Sequence, residues 1–270
     1  MAHTGIVPHP YDLPHVRRVR LLGVPVDSVR PQDLHDTVKT LLDRLVAHSL
    51  PGQIVFLRTR DLMRARGDPS RMKKLEPAAL VLPVSREISR ALGQLSLPEG
   101  HRYYPTDTLI QVLNWLEARN GGIYLLGGTG EEIIRAEQRI KQTYPGCRIV
   151  GRYTGRFSRQ TERNVVMAVK KANPAILLVG SGLRGRDKWI WRRRTRLNNG
   201  LQCASIELFD YVLGKAKKLN KARFQHGRES LGEIRRFPWR VARIVWSLLF
   251  RFRVLMFRAF GKRGEGYAAK

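Results

Sequence analysis

Short apolar runs alternate with longer amphipathic stretches along most of this chain, and few folds accept that pattern. The runs Arg18–Val24, Ile54–Leu57, Ala79–Leu82, Ile123–Leu126, Arg148–Val150, Ala175–Val179 and Leu201–Ile206 read as strands. Most are continuously apolar over four to seven residues, as expected for strands covered on both faces. Between them, Gln32–Val46 sets Leu34, Val38, Leu41, Leu42 and Leu45 on one helical stripe, and Thr106–Ala118 does the same with Leu109, Val112, Leu113 and Leu116. The second of these should stop at Asn120-Gly121-Gly122. Further helices are expected at Glu131–Tyr144, Gln160–Lys171 and Arg186–Arg196. Strand and helix alternating through short connectors predict an α/β, Rossmann-like parallel sheet flanked by helices. Ligands then lie beyond the carboxyl ends of the strands.

Charge narrows the function. The chain of 270 residues carries 50 Lys and Arg against 22 Asp and Glu, a formal net charge of +28, so its partners should be anionic: phosphate-bearing substrates, anionic lipid or nucleic acid. The surplus is uneven. Residues 217–270 hold 15 basic and three acidic residues, +12 in 54, against +16 in the other 216. The expected organisation is therefore an α/β domain over residues 1–214 and a basic C-terminal segment over residues 215–270. Two cysteines, Cys147 and Cys203, exclude a disulfide scaffold and read as buried apolar residues. The N-terminal fifteen residues lack a basic head followed by an apolar run, so no signal peptide is expected and the cytoplasmic side is the expected location.

Two glycine-bearing segments follow predicted strands. Ile123-Tyr-Leu-Leu-Gly-Gly-Thr-Gly130 runs into a helix opening Glu131-Glu132; its glycines, Gly127 and Gly128 among them, suit either a simple tight turn or a backbone phosphate cradle. Ile176–Ile190 carries Gly182, then Arg184, Arg186 and Lys188, a loop that reads as a solvated basic turn or as a diphosphate contact. The run Arg192, Arg193, Arg194 and Arg196 reads first as an outward basic face, with lipid headgroups or nucleic-acid phosphate as its functional partners.

Pro238–Phe260 is different. At about 100° per residue, Arg240, Arg243, Ser247, Arg251 and Arg258 share a narrow stripe, while Trp239, Trp246, Leu249, Phe250, Met256 and Phe257 cover the rest. Its five stripe and intruding arginines make a poor membrane span, and the pattern fits a helix lying in a membrane interface; docking on the chain's own core or on a partner subunit is the alternative. The seven histidines show no metal-ligand spacing and no triad pattern, and no carboxylate pair stands at metal spacing, so neither metal nor cofactor is expected.

Taken in order, these segments resemble the WecG/TagA/CpsF glycosyltransferases. The resemblance runs from about Arg18 to Arg240. It rests on Leu22-Gly-Val-Pro-Val-Asp27, Ile123-Tyr-Leu-Leu-Gly-Gly128, Tyr144-Pro-Gly-Cys-Arg-Ile-Val-Gly151, Gly155-Arg-Phe157, Pro174–Gly182, Asp187-Lys-Trp189, Phe209-Asp210 with Gly214, and Arg236-Phe-Pro-Trp-Arg240. It implies transfer of a hexosamine-type sugar from a UDP-sugar to a polyprenyl-diphosphate-linked acceptor, on the inner face of the cell membrane, in cell-surface polysaccharide or glycolipid synthesis. Members of the family often self-associate. The departures fall on the chemistry: where the family carries the acid proposed as general base, this chain has Val84 and Ser85 after Pro83. Glu87 is the substitute within reach, and Asp107 and Arg102 are retained from an "RxxGxD" element whose glycine is here Pro105. The resemblance thus implies Asp107 and Glu87 as catalytic candidates, and Arg102, Gly127, Gly128, Gly182, Arg186, Asp187 and Asp210 as substrate-binding ones. Arg240, Arg243, Trp246, Arg251 and Arg258 are the membrane candidates. A non-catalytic sugar-nucleotide-binding relative is the second reading, and a nucleic-acid binder, without any helix-turn-helix or zinc signature, the third.

Overall fold

A computed structural model describes residues 5–98, 100–183, 185–197, 200–215 and 242–260, with backbone alone at 207–208 and 242–244. The chain divides into two compact units: residues 1–31, 56–103 and 218–270, and residues 32–55 and 104–217.

The first unit opens with a three-stranded antiparallel sheet, β1 (Gly5–Ile6), β2 (Arg17–Leu21) and β3 (Val24–Ser28). The expected strand Arg18–Val24 is in fact most of a hairpin. Leu21 pairs with Val24 across a two-residue turn in which Leu22 and Gly23 both have positive φ, 52° and 87°. Such a turn matches the right-handed twist of the strands it joins, and an apolar Leu at its first position hides it from a reading by hydropathy. The unit continues with α2 (Thr59–Arg66), α3 (Pro69–Leu75), β5 (Leu80–Pro83) and α4 (Arg86–Gln94), and takes in the last described helix, α10 (Ala242–Phe260).

A buried ion pair organises this unit. Arg18 donates from Nε and Nη2 to the two carboxylate oxygens of Asp27, both at 2.7 Å, and its remaining donors reach the carbonyls of Glu76 and Ala78. Asp27 also accepts from the Val81 N–H at 2.6 Å. Burial alone would raise the Asp27 pKa, but hydrogen bonds and positive charge from Arg18 and His9 hold it below its ordinary value.

The second unit contains α1 (Leu34–Ala47), α5 (Pro105–Ala118), β6 (Gly122–Leu126), α6 (Gly130–Thr143), β7 (Arg148–Tyr153), α7 (Arg159–Ala172), β8 (Ile176–Val179), α8 (Arg186–Arg193), β9 (Leu201–Ala204) and α9 (Ile206–Val212). Together with β4 (Gly52–Leu57), its strands form a parallel sheet in the order β4-β9-β8-β6-β7. Strands β6 and β8 are buried at every position, as their uninterrupted apolar runs predict. Helix α1 buries Leu34, Val38, Leu41, Leu42 and Leu45, the stripe expected of it. Helix α5 stops where predicted: Asn120 takes a left-handed conformation, and Asn120 and Gly121 donate back to the carbonyls of Glu117 and Leu116. The run Leu201–Ile206 is strand only to Ala204, after which Ile206 opens α9. Helix α8 likewise ends at Arg193 and closes in a 3-10 turn, Arg194–Arg196. Tyr124, Leu126, Val165, Val169, Leu177, Val179, Trp189 and Ile190 form one core cluster under α7 and α8. Both cysteines are free and buried.

Candidate functional site

The residues singled out by sequence fall into both units, and each group is built by its own elements.

In the first unit, β5 ends at Pro83 and α4 begins at Arg86, so Val84 and Ser85 form the connecting turn. The turn is well anchored. The Val84 N–H donates to the Leu57 carbonyl at 2.9 Å, the Tyr103 N–H donates to the Pro83 carbonyl, and Ser85 Oγ accepts from the Thr59 N–H at 3.1 Å. Arg102 donates from Nε to the Val84 carbonyl at 2.8 Å. Its guanidinium is thus fixed to the turn that carries Val84 and Ser85. Glu87 stands in the first turn of α4, half-buried, and accepts from Thr59 Oγ1 at 3.4 Å and from Ser247 Oγ at 3.1 Å. Thr59 and Ser247 were not selected from the sequence as site residues; their hydroxyls, at the start of α2 and on the inner side of α10, become legible only once those helices are placed.

Helix α10 lies on α2 and α4 within this unit. It buries Phe250 (1% exposed) and Val254, and Arg64 stands 5.8 Å over the Trp246 ring. Its outward side carries Val245, Leu248, Leu249, Phe252, Leu255, Met256 and Phe260, exposed between 42% and 78%. At 100° per residue these occupy an arc of about 140° without a charge. Arg251 and Arg258 border one edge of it and Arg253 the other, all three exposed. The sequence placed Trp246 and Phe250 in the outer apolar face; Phe250 turns inward and Trp246 is half-buried. Arg240 lies outside the described residues, as does the side chain of Arg243.

In the second unit, three strand-end loops meet at the carboxyl rim of the sheet. The Gly127 N–H donates to the Tyr153 carbonyl, the Gly128 N–H to the Ser181 carbonyl, and the Gly155 N–H to the Gly128 carbonyl, at 3.0, 2.9 and 3.0 Å. A Cβ on Gly127 would stand 2.8 Å from the Gly180 backbone, and one on Gly155 would overlap the Ser181 carbonyl. Gly182, at φ +91°, lies against Gly155, and the Phe209 ring fills the space beside Gly180. The glycines therefore let backbone approach backbone, and the N–H groups of Gly127 and Gly128 are engaged inside the protein. Helix α6 beyond them is closed by a capping box: Thr129 Oγ1 accepts from the Glu132 N–H, and the Glu132 carboxylate accepts from the Thr129 N–H.

The charged candidates of this unit stand on α5, α8 and α9. Arg186 and Asp187 form the first turn of α8, directly after the β8 loop; Arg184 lies outside the described residues. Asp187 accepts from Gln53 Nε2 at 3.4 Å. Asp210 follows Phe209 on α9 and is half-buried. Asp107 stands in the first turn of α5, half-buried, and among the described residues its carboxylate has no hydrogen-bond donor. Because α5 runs into β6, its N-terminus lies toward the strands' carboxyl ends, where substrates bind in such sheets. Among the described residues no cluster of His, Cys, Asp and Glu could hold a metal ion, and no described helix is long and apolar enough to cross a membrane.

Compared with known proteins, residues 19–265 match the glycosyl transferase WecG/TagA/CpsF family. An N-acetylglucosaminyldiphosphoundecaprenol N-acetyl-beta-D-mannosaminyltransferase of Staphylococcus aureus strain NCTC 8325 / PS 47 is 21% identical over 195 residues, 71% of this chain and 75% of its own length. The protein of the same name in strain COL is equally similar, and that of strain MRSA252 is 20% identical over the same length.

Proposed function

From the premise that this chain belongs to the WecG/TagA/CpsF family of glycosyl transferases, we propose that it moves a hexosamine-type sugar from a UDP-sugar to a polyprenyl-diphosphate-linked acceptor in cell-surface polysaccharide or glycolipid synthesis. The similarity to transferases named for an N-acetylglucosaminyl-diphosphoundecaprenol acceptor supports the acceptor class. In the reaction a carboxylate takes the proton of the acceptor hydroxyl, the oxygen bonds to the sugar's anomeric carbon, and the bond to the UDP oxygen breaks. Negative charge builds on the departing diphosphate, where fixed positive groups lower the barrier most.

The observation that carries an active enzyme is the environment of Glu87. It stands three residues beyond Val84, in the first turn of α4, and the hydroxyls of Thr59 and Ser247 donate to its two oxygens and orient the carboxylate. Asp107 is the second acid, assigned to a sugar or proton contact, and Arg102 and Arg186 are the diphosphate partners. Gly127, Gly128 and Gly182 shape the rim on which the donor lies, with Asp187 and Asp210 as its polar contacts. The second reading, a sugar-nucleotide-binding relative that does not turn over, is favoured by Val84 alone, whose side chain cannot accept a proton.

The same chain works at the anionic inner surface of the cell membrane. Support comes from α10, whose outward apolar arc edged by Arg251, Arg258 and Arg253 is the pattern of a helix seated among lipid headgroups. A panel of UDP-hexosamines with a polyprenyl-diphosphate acceptor tests the activity. Transfer from any member that falls at least 100-fold in Glu87→Gln supports the enzyme. Binding of UDP-sugar without transfer supports the second reading, and calorimetry showing no heat with UDP or any UDP-hexose would overturn both.

A further inference from the structure

The arginine run of α8 and its 3-10 turn takes part in a feature that sugar transfer does not use. Between α7 and that turn lies a groove of about 570 Å³, contained wholly in the second unit. One wall is the outer stripe of α7, where Arg159, Arg163 and Lys170 stand within a narrow arc over about 16 Å of helix. Val166 and Met167 lie between them, with Met167 53% exposed. Arg193 and Arg196 form the opposite wall.

Five cations thus face one carboxylate, Glu162, and that carboxylate is committed. It accepts from Trp189 Nε1 and pairs with Arg193 at 2.6 Å, while the Arg193 guanidinium sits 5.1 Å over the Trp189 ring. Arg193 is therefore held in place rather than free to swing into solvent. Among the described residues Arg159, Arg163, Lys170 and Arg196 have no anionic partner. Like charges gathered along one groove repel one another, and an anion seated among them relieves that repulsion.

We propose that this groove binds the headgroup of an anionic glycerophospholipid, with the phosphate among Arg159, Arg163 and Arg196 and the glycerol and first methylenes on Val166 and Met167. The apolar floor separates this ligand from the alternatives. A free phosphate gains nothing from Met167. Single-stranded nucleic acid would need exposed aromatic faces for its bases, whereas Trp189 is only 6% exposed. The site is independent of the proposed sugar transfer and of α10.

The test is co-sedimentation of the full chain with phosphatidylcholine vesicles containing roughly 30% phosphatidylglycerol, whose negative surface attracts basic segments. The measurement is made in the native chain and in one carrying Leu248→Asp and Phe252→Asp, so that failure of the α10 reading does not decide the outcome. Arg159→Gln, Arg163→Gln and Arg196→Gln together should lower the phosphatidylglycerol-dependent affinity at least tenfold in both backgrounds, since each basic residue at such a surface contributes about fivefold. Met167→Gln should lower it about fourfold with the charge unchanged, in line with burying one methylene. All four positions are exposed, and an unchanged melting temperature verifies that the variants fold. Undiminished vesicle binding by the triple variant overturns the proposal. So does full protection of the groove by inorganic phosphate or by a DNA oligonucleotide with no loss of vesicle binding.

Discussion

Ser247 Oγ lies 3.1 Å from Glu87 Oε1 and donates to it, so the helix with the outward apolar arc touches, with its inner side, the carboxylate at the head of α4. A side chain on a helix otherwise suited to a lipid surface thereby helps to set the orientation of the candidate base. Ser247→Ala should lower kcat severalfold and leave the KM for the donor unchanged, with Ser247→Thr restoring the rate. Glu87→Gln should cost at least 100-fold in kcat, within the range of a lost general base. Steady-state kinetics of the three variants checks both expectations; a change confined to KM would assign Ser247 to packing alone.

The two sides of α10 should respond in opposite ways. Leu248→Asp with Phe252→Asp, both 58% exposed, should abolish most sedimentation with anionic vesicles while leaving the melting temperature within a few degrees. Phe250→Ala empties a buried site and should cost about 3–5 kcal/mol of stability. Thermal unfolding and vesicle sedimentation, run on the same preparations, separate the two.

Gly180 and Phe209 should behave as a coupled pair, because a Cβ at Gly180 has no room beside the Phe209 ring. Gly180→Ala should destabilise the protein by about 1–3 kcal/mol, the usual cost of overpacking. Phe209→Leu should recover part of that loss in the double variant, a non-additivity that urea unfolding of the four proteins in the cycle measures.

The buried Arg18–Asp27 pair makes stability acid-sensitive. The Asp27 carboxyl is held below its ordinary 3.8 in the folded protein, so its contribution is complete above that pH and is lost as pH falls through the lower folded value. Urea unfolding between pH 6 and pH 2 should show the decline beginning below about pH 4 in the native protein. Asp27→Asn should lose about 3–5 kcal/mol already at neutral pH, since it strands a buried guanidinium, and should lack that part of the acid slope.

Much of this architecture is written in local pattern. The apolar runs of β6 and β8 and the stripes of α1 and α5 place those elements nearly to the residue, since burial on two faces or on one stripe leaves a periodic trace. The hairpin at Leu22-Gly23 left none, because Leu22 is apolar and its turn depends on backbone dihedrals. The pairing of Arg18 with Asp27 was hidden for a similar reason: an arginine in a strand reads as solvent-facing until its partner is found nine residues away. The chemical candidates were legible as residue types but not as environments. Gly127 and Gly128 read first as a tight turn and second as a phosphate cradle, and only the bonds to Ser181 and Tyr153 show where their N–H groups go. Glu87 was visible as the nearest acid after Val84, whereas its donors come from Thr59 and from Ser247, 160 residues further on.

The stitching of the loops around Gly127, Gly155 and Gly182 has a mechanical consequence. Each loop borrows a hydrogen bond or van der Waals contact from the next. None can shift without carrying the others, so that edge of the second unit behaves as a stiff plate. A donor that meets it encounters a surface already set, and any closing motion that excludes water must come from parts of the chain not tied into this knot.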